Sequence, residues 1–262
     1  MTMQRTRYPL FSWRFVPVWR RNALVWRKLI WASMLSNLAD PLIYLIGLGY
    51  GLGLMLGDVN GVPYIVFLAA GSICSSTMNA ATFEAFYSAF SRMHAQRTWE
   101  SIMNAPIALE DVLLGEMIWA ASKATLSGVA ILVVATLLGL VNRNGLAWWI
   151  LPLIPLIGLA FAGGALIVTA YAKGYDFFSY YFTIIMTPML FLSGVFFPIT
   201  QLPPAMQFVA HLFPLSHAVE LVRPLLLGQV PSNALVHLTV LIAYALIGYL
   251  VAVRLFRRRL LH

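Results

Sequence analysis

Few side chains here are of a type and spacing that could do chemistry. His211 and His217 stand six residues apart in an outer segment that also holds Glu220. Imidazoles at that distance suit a metal, but a metal site needs further ligands. None stands nearby, so the expectation is no metal. Cys74 is the only cysteine and lies in an apolar run, which excludes an intrachain disulfide or a thiolate cluster and leaves a packing role. Asp40 precedes Pro41 inside another apolar run. A carboxylate at mid-bilayer costs about 2.5–3.5 kcal/mol, so Asp40 must face a bundle interior or sit near the membrane boundary. It reads either as a proton-relay acid or as a structural acid beside the kink that Pro41 imposes. No G-x-x-x-x-G-K-[ST], G-x-S-x-G, H-E-x-x-H or C-x-x-C occurs, so no nucleotide-binding P-loop or familiar hydrolytic site is written in the chain.

The densest polar stretch is Arg92 to Glu116, which carries Glu100, Glu110, Asp111 and Glu116, four of the nine acids. Long apolar runs flank it, so it must sit in water on one face of a bilayer. Thr98 is placed to cap a short helix, Trp99–Met103, which Asn104 and Pro106 stop. A helix of that length is not stable alone. With Trp99, Ile102 and Met103 exposed, it reads either as a docking point for a partner protein or as an interfacial turn lying on lipid headgroups.

The elements that position these residues follow from composition. Of 262 residues, 61% are hydrophobic and 10% charged, against about 25% charged in soluble domains. Several runs reach the roughly 20 residues that a helix needs to cross a bilayer. The chain therefore reads as an all-α integral membrane protein in a single domain, with six transmembrane helices at about 30–56, 64–83, 117–140, 146–171, 177–197 and 234–253. Residues 13–29 form an amphipathic helix in the membrane interface. Arg14, Arg21 and Lys28, Arg20 and Arg27, and Trp19 and Trp26 each recur at seven-residue spacing, so each set keeps to one stripe. Residues 92–116 are the polar segment described above. Residues 198–231 hold apolar pieces too short to span, broken by Pro204, Pro214 and Pro224, and read as two re-entrant helices. Gly47/Gly51 and Gly49/Gly53 have the spacing that lets helices approach closely. Lys123 is close enough to a span end to snorkel to the interface.

Orientation follows from the 17 lysines and arginines. With the N-terminus inside, all but Lys123, Arg143 and Arg223 fall in inside segments, the asymmetry expected of cytoplasmic loops. Both termini and the Arg92–Glu116 stretch are then cytoplasmic, and 198–231 faces outward. The net charge of +8 sits at the two chain ends and not on an aromatic-interleaved patch, so no nucleic-acid partner is implied. The basic residues Arg14, Arg20, Arg21, Arg27 and Lys28 interrupt the first apolar stretch, and it does not read as a signal peptide. Few ionisable groups lie deep in the spans, which argues against a proton-coupled carrier or channel.

Six spans, a cytoplasmic island between the second and third, and re-entrant helices before the sixth resemble the permease subunit of type-2 (ABC-2) ABC transporters. The stretches LADPLIYLIGLGYGLG (38–53), AATFEAFYSAFSRMHAQRTWESIMNAP (80–106), DVLLGEMIWAASKA (111–124) and TPMLFLSGVFFPITQLPPAMQFVAHLFPLSHAVELVRPLLLG (187–228) resemble the nodulation protein J branch, the permeases of rhizobial lipo-oligosaccharide exporters. The resemblance covers nearly the whole chain. It implies a bacterial inner-membrane exporter of two permease and two ATPase subunits, a homodimer of this chain with an ABC ATPase, and a lipid-linked or lipo-oligosaccharide cargo amid membrane lipids. It implies no cofactor on this chain, since ATP and Mg belong to the partner ATPase, and hence a permease that is not itself an enzyme. Arg97, Thr98, Trp99, Glu100, Ile102 and Met103 then match the coupling helix that meets the ATPase.

Phe178, Phe182, Ile185 and Met189 fall on one face of span five, and Phe191, Phe196 and Phe197 carry aromatics to its outer end. With the resemblance, Phe182, Met189, Phe191, Phe196 and Phe197 are expected to form an outer gate of the pathway; otherwise they pack the spans together. Export of another glycolipid or a hydrophobic drug is an alternative within the same architecture. A membrane enzyme acting on lipid-linked sugars is an alternative of another class, resting on His217 and Glu220.

Overall fold

The computed structural model describes residues 13–30, 35, 39, 42–59, 61–142 and 144–260. Asp40, Pro41 and Arg143 lie outside the described residues, so the expectations placed on them are not addressed. The described chain is almost entirely helical. Four helices are long and apolar enough to cross a membrane: α3 (Tyr64–Ala95), α5 (Leu109–Leu137), α6 (Leu146–Tyr171) and α10 (Ala234–Leu260). Shorter apolar helices, α2 (Tyr44–Leu56) and α7 (Asp176–Leu192), stand where the first and fifth spans were expected. The remaining helices are α1 (Phe15–Trp26), α4 (Thr98–Met103), α8 (Pro204–Leu212) and α9 (Pro214–Leu226). A two-residue antiparallel pairing, Asp58–Val59 with Val62–Pro63, closes the turn between α2 and α3.

Several helices run past the boundaries that hydropathy suggests. The second does not stop near Phe83 but continues to Ala95, and the third begins at Leu109, before Met117. The acids of the island thus lie on helix rather than loop. Glu116 meets Arg92 and Trp99, Glu110 pairs with Arg257, Asp111 accepts from the Ala108 backbone N–H, and Glu100 is exposed. The helix N-terminus also favours Glu110 and Asp111 in the first turn. The fifth ends at Leu192, where Gly194 takes a positive φ of 75°.

α3 is the central helix, buried on nearly all sides. A helix apolar all round needs neighbours on every face. It packs on α5, α6 and α9, while α6 makes its broadest contact with α10. Small residues set these crossings. A Cβ on Gly248 of α10 would lie 2.9 Å from the Gly163 Cα of α6, and one on Gly71 of α3 would lie 2.6 Å from the Val195 carbonyl oxygen. In lipid, close backbone approach of this kind, not hydrophobic exclusion, drives helix association. Interhelical hydrogen bonds add to it: the Ser76 and Ser127 hydroxyls meet at 2.8 Å, and Thr169 Oγ1 donates to the Ala85 carbonyl at 2.9 Å. Of the glycines in α2, Gly49 and Gly53 face α3, whereas a Cβ on Gly47 or Gly51 meets nothing within 4 Å.

α1 lies across the start of α5. Its tryptophan stripe turns into the protein: Trp19 Nε1 donates to Ser122 Oγ at 3.1 Å, and Trp26 meets Trp119 edge-on at 5.8 Å.

Candidate functional site

The polar stretch folds as a small helix laid over a buried ion network. Beyond Phe83, α3 widens into two π turns, Glu84–Ser88 and Ser91–Ala95, which carry Glu84 and Arg92 toward α5. On α5, Glu116, Trp119 and Lys123 stand at i, i+3 and i+7, one face of a helix. The two faces meet. Arg92 Nε and Nη2 grip Glu116 at 2.9 and 2.5 Å, and the same Nη2 reaches Glu84 Oε1 at 2.9 Å. Trp119 Nε1 donates to Glu84 Oε1 at 2.8 Å, and Lys123 Nζ to Glu84 Oε2 at 2.9 Å. Lys123 is therefore not snorkelling; a buried carboxylate holds its ammonium. The Glu84 and Glu116 side chains are only 3% and 1% exposed. Two carboxylates and two cations balance, the condition under which ions persist in a low-dielectric interior.

Trp99 joins α4 to this network. Its indole is 1% exposed, its Nε1 donates to Glu116 Oε1 at 3.0 Å, and its ring stands edge-on to Phe256 of α10 at 5.2 Å. The expected exposure of Trp99 is thus corrected. An indole needs apolar cover and one acceptor, and this chain supplies both. Ile102 and Met103 are half-buried against the core. What α4 shows to solvent is polar: Arg97, Glu100 and Ser101. Thr98 does not cap the helix. It is the first helical residue, after Arg97 in a left-handed conformation with φ 50°. Its hydroxyl instead donates to Gln96 Oε1 and accepts from Arg21 Nη2 of α1, both at 3.4 Å. Burial and the neighbouring Arg92 hold the Arg21 guanidinium below its ordinary pKa, with Glu116 pulling the other way.

The aromatic residues of α7 begin beside the ion-network end of α3 and run toward the far end of the molecule. Phe178 is buried and stacks on Phe86 at 4.8 Å, and Phe182 stacks on Phe83 at 4.6 Å. The expected single face of Phe178, Phe182, Ile185 and Met189 does not form. A π turn over Phe182–Met186 adds one residue to the register. Met186 and Met189 are buried, while Ile185 is exposed. Phe191 is half-exposed and packs on Phe196 at 5.3 Å, and Phe196 meets Tyr44 of α2 at 5.9 Å. Phe197 is half-buried beside them. At the same end, His217 and Glu220 of α9 stand against His237 of α10, which corrects the expectation that the outer histidines lack further ligands nearby.

Residues 15–227 match the family described as ABC-2 type transporter. The chain belongs to this family. Its relatives include nodulation protein J of Rhizobium leguminosarum bv. viciae, 50% identical over 97% of each chain. Nodulation protein J of Rhizobium meliloti is 49% identical, covering 97% of this chain and 96% of that one. The inner membrane transport permease YadH of Escherichia coli is 28% identical, covering 92% and 96%. The ABC-2 permease is thus a transport protein of the membrane.

In this ABC-2 permease the residues that sequence reasoning placed in the island, Arg97 to Met103, come together on α4 and the residue that precedes it. Those it missed lie beneath: Glu84, Arg92, Glu116, Trp119 and Lys123. The signal was faint but present, since charged residues inside apolar runs require partners. Chemically the network can do no proton chemistry of its own, because every carboxylate oxygen in it accepts from a fixed donor. It is a rigid electrostatic tie between three helices.

Proposed function

We propose that this chain is the membrane subunit of an ATP-driven exporter and that α4 is where force from a partner ATPase enters. One observation carries the reading: α4 is polar outside, through Arg97 and Glu100, and is keyed inside by Trp99 to the ion network of α3 and α5. An outward polar face suits a wet, reversible contact, and the inward key would pass any displacement of α4 to the long helices. Thr98, Ile102 and Met103 support α4 from beneath. In the assembly proposed, two copies of this chain pair with two ATPase subunits, which hold the ATP and Mg. The segments around α2 and α7 complete six spans, and α8 and α9, too short to cross, lie re-entrant on the outer side. The basic residues favour the α4 face as cytoplasmic, with both termini on that side of the bacterial inner membrane. Likeness to the nodulation J proteins supports a lipo-oligosaccharide or other lipid-linked cargo. Phe191, Phe196 and Phe197 close the outer end of the path, with Phe182 and Met189 packing behind them.

The test is co-purification with a P-loop ATPase of the ABC type. Glu100→Arg should lower ATPase recovery or uncouple hydrolysis from export while leaving the permease as thermostable as wild type. Normal recovery and normal export in both Glu100→Arg and Arg97→Glu would leave α4 an interfacial turn.

A further inference from the structure

Ten residues separate the end of α9 at Leu226 from His237 of α10, which stands against His217 of α9. His217 and Glu220 stand at i and i+3 on one face of α9. His237 comes from the first turn of α10, which Asn233 opens in a left-handed conformation with φ 51°. His217 and His237 are 7% and 8% exposed. His217 Nε2 lies 2.9 Å from the His211 carbonyl oxygen. A carbonyl can only accept, so that nitrogen carries the hydrogen and the Nδ1 lone pair is left over. This lone pair faces His237 Nδ1 at 2.8 Å, while His237 Nε2 faces Glu220 Oε2 at 3.2 Å. A neutral His237 has one hydrogen for two acceptors. The cluster is therefore complete only with one more positive species, a second proton on His237 or a metal ion.

We propose that His217, Glu220 and His237 bind one zinc-like divalent ion, which clips α9 to α10. One ligand atom from each lies within 4.8 Å of the others. A tetrahedral zinc with bonds of about 2.1 Å places donors roughly 3.4 Å apart, a closure within reach of side-chain rotation. Two imidazoles and a carboxylate are a zinc donor set, and a ring nitrogen fixed by a backbone carbonyl is how ligating histidines are usually oriented. The cluster opens into a cleft of about 630 Å³ that His211, Ser232 and Asn233 also line, so an ion has a way in and a fourth position is left for water or His211. The clip would tie the helix that ends at Leu226 to the one running back to Trp99. The inference does not depend on the identity of the cargo.

The experiment uses the full chain in lipid nanodiscs, carrying a tag without histidine, stripped with chelator and titrated with zinc chloride alone. Wild type should retain one zinc per chain by elemental analysis, and zinc should raise its melting temperature. His217→Ala and His237→Ala should each weaken zinc at least about a hundredfold, beyond the usual cost of losing a mere orienting partner. Glu220→Gln should weaken it markedly, while Glu220→His, which restores a ligand atom, should recover most of the affinity. His94→Ala, on the opposite end of the molecule, should leave it unchanged. Melting curves of the stripped variants show whether they fold. Zinc retention below one per chain in wild type, or affinity unchanged in folded His217→Ala and His237→Ala, overturns the site and leaves a proton as the cation.

Discussion

At the scale of the residue, burial and charge pairing decide what a substitution does. Trp99→Ala removes a fully buried indole and should cost about 3–5 kcal/mol. Trp99→Phe keeps the ring against Phe256 and loses one hydrogen bond, about 1 kcal/mol, because Arg92 still donates to Glu116. Melting temperatures in detergent should order wild type above Phe above Ala; equal values for Phe and Ala would mean that the hydrogen bond, not the packing, fixes α4. Within the ion network, Glu84→Gln and Lys123→Met each strand a partner and should each cost about 3–5 kcal/mol. The double variant should lose less than the two together, with a coupling of about 0.5–3 kcal/mol. Additive losses would mean that the 2.9 Å contact contributes nothing of its own. These pairs were not legible in the sequence. Glu84 and Lys123 are each recognisable as charges in apolar surroundings, but nothing local says that residues 39 apart in the chain come together.

At the scale of the element, helix existence was readable and helix phase was not. Pro204 and Pro214, expected to break this stretch, instead open α8 and α9, since proline fits the first helical turn. Pro224, also expected as a break, lies inside α9, in its last turn. Asn104 ends α4 at Met103. The π turns at Glu84–Ser88 and Phe182–Met186 follow no glycine or proline signal, so the residues beyond them rotate away from faces counted at 3.6 per turn. Ile185 is the casualty. Glycine spacing was likewise only half informative, because the same small residue can face a helix or open space. Gly248→Leu should separate α6 from α10 and abolish the monodisperse fold in size exclusion. Gly47→Ala, with nothing within 4 Å of the new methyl, should be neutral or stabilise by up to about 1 kcal/mol. A destabilising Gly47→Ala would show that this face is occupied by a second copy.

At the scale of the whole molecule, the two ends differ in character. One is ionic and sealed by tryptophan; the other is aromatic, with the histidine cluster beside it. About 19 residues of α10 separate His237 from Phe256, or roughly 28 Å at 1.5 Å per residue, close to the thickness of a bilayer's hydrocarbon core. In a Cys74→Ala background, cysteines at Asn144 and Gln201 should react with an impermeant thiol reagent in intact cells, and cysteines at Gln96 and Gly174 should not. Labelling at Gln96 without labelling at Gln201 would invert the orientation and place α4 outside, away from any ATP-driven partner. Lysine and arginine positions propose which end faces the cytoplasm. The way the ends are closed was not legible, because it depends on contacts between helices distant in sequence.

The last turn of α10 has a consequence for biosynthesis. Phe256 covers Trp99, Arg257 pairs with Glu110, and Arg259 Nη1 donates to the Thr169 and Ala170 carbonyls at the end of α6, at 3.0 and 2.9 Å. At ribosomal speeds Phe256 is made roughly 8–30 s after Trp99. Until then the earlier helices can insert but cannot close, and the indole stays uncovered. Quality control therefore has a simple mark to read, an open end that only a finished chain shuts. A chain truncated before Phe256 should be inserted and then degraded, and pulse labelling should show a shorter lifetime than for one truncated after Leu260.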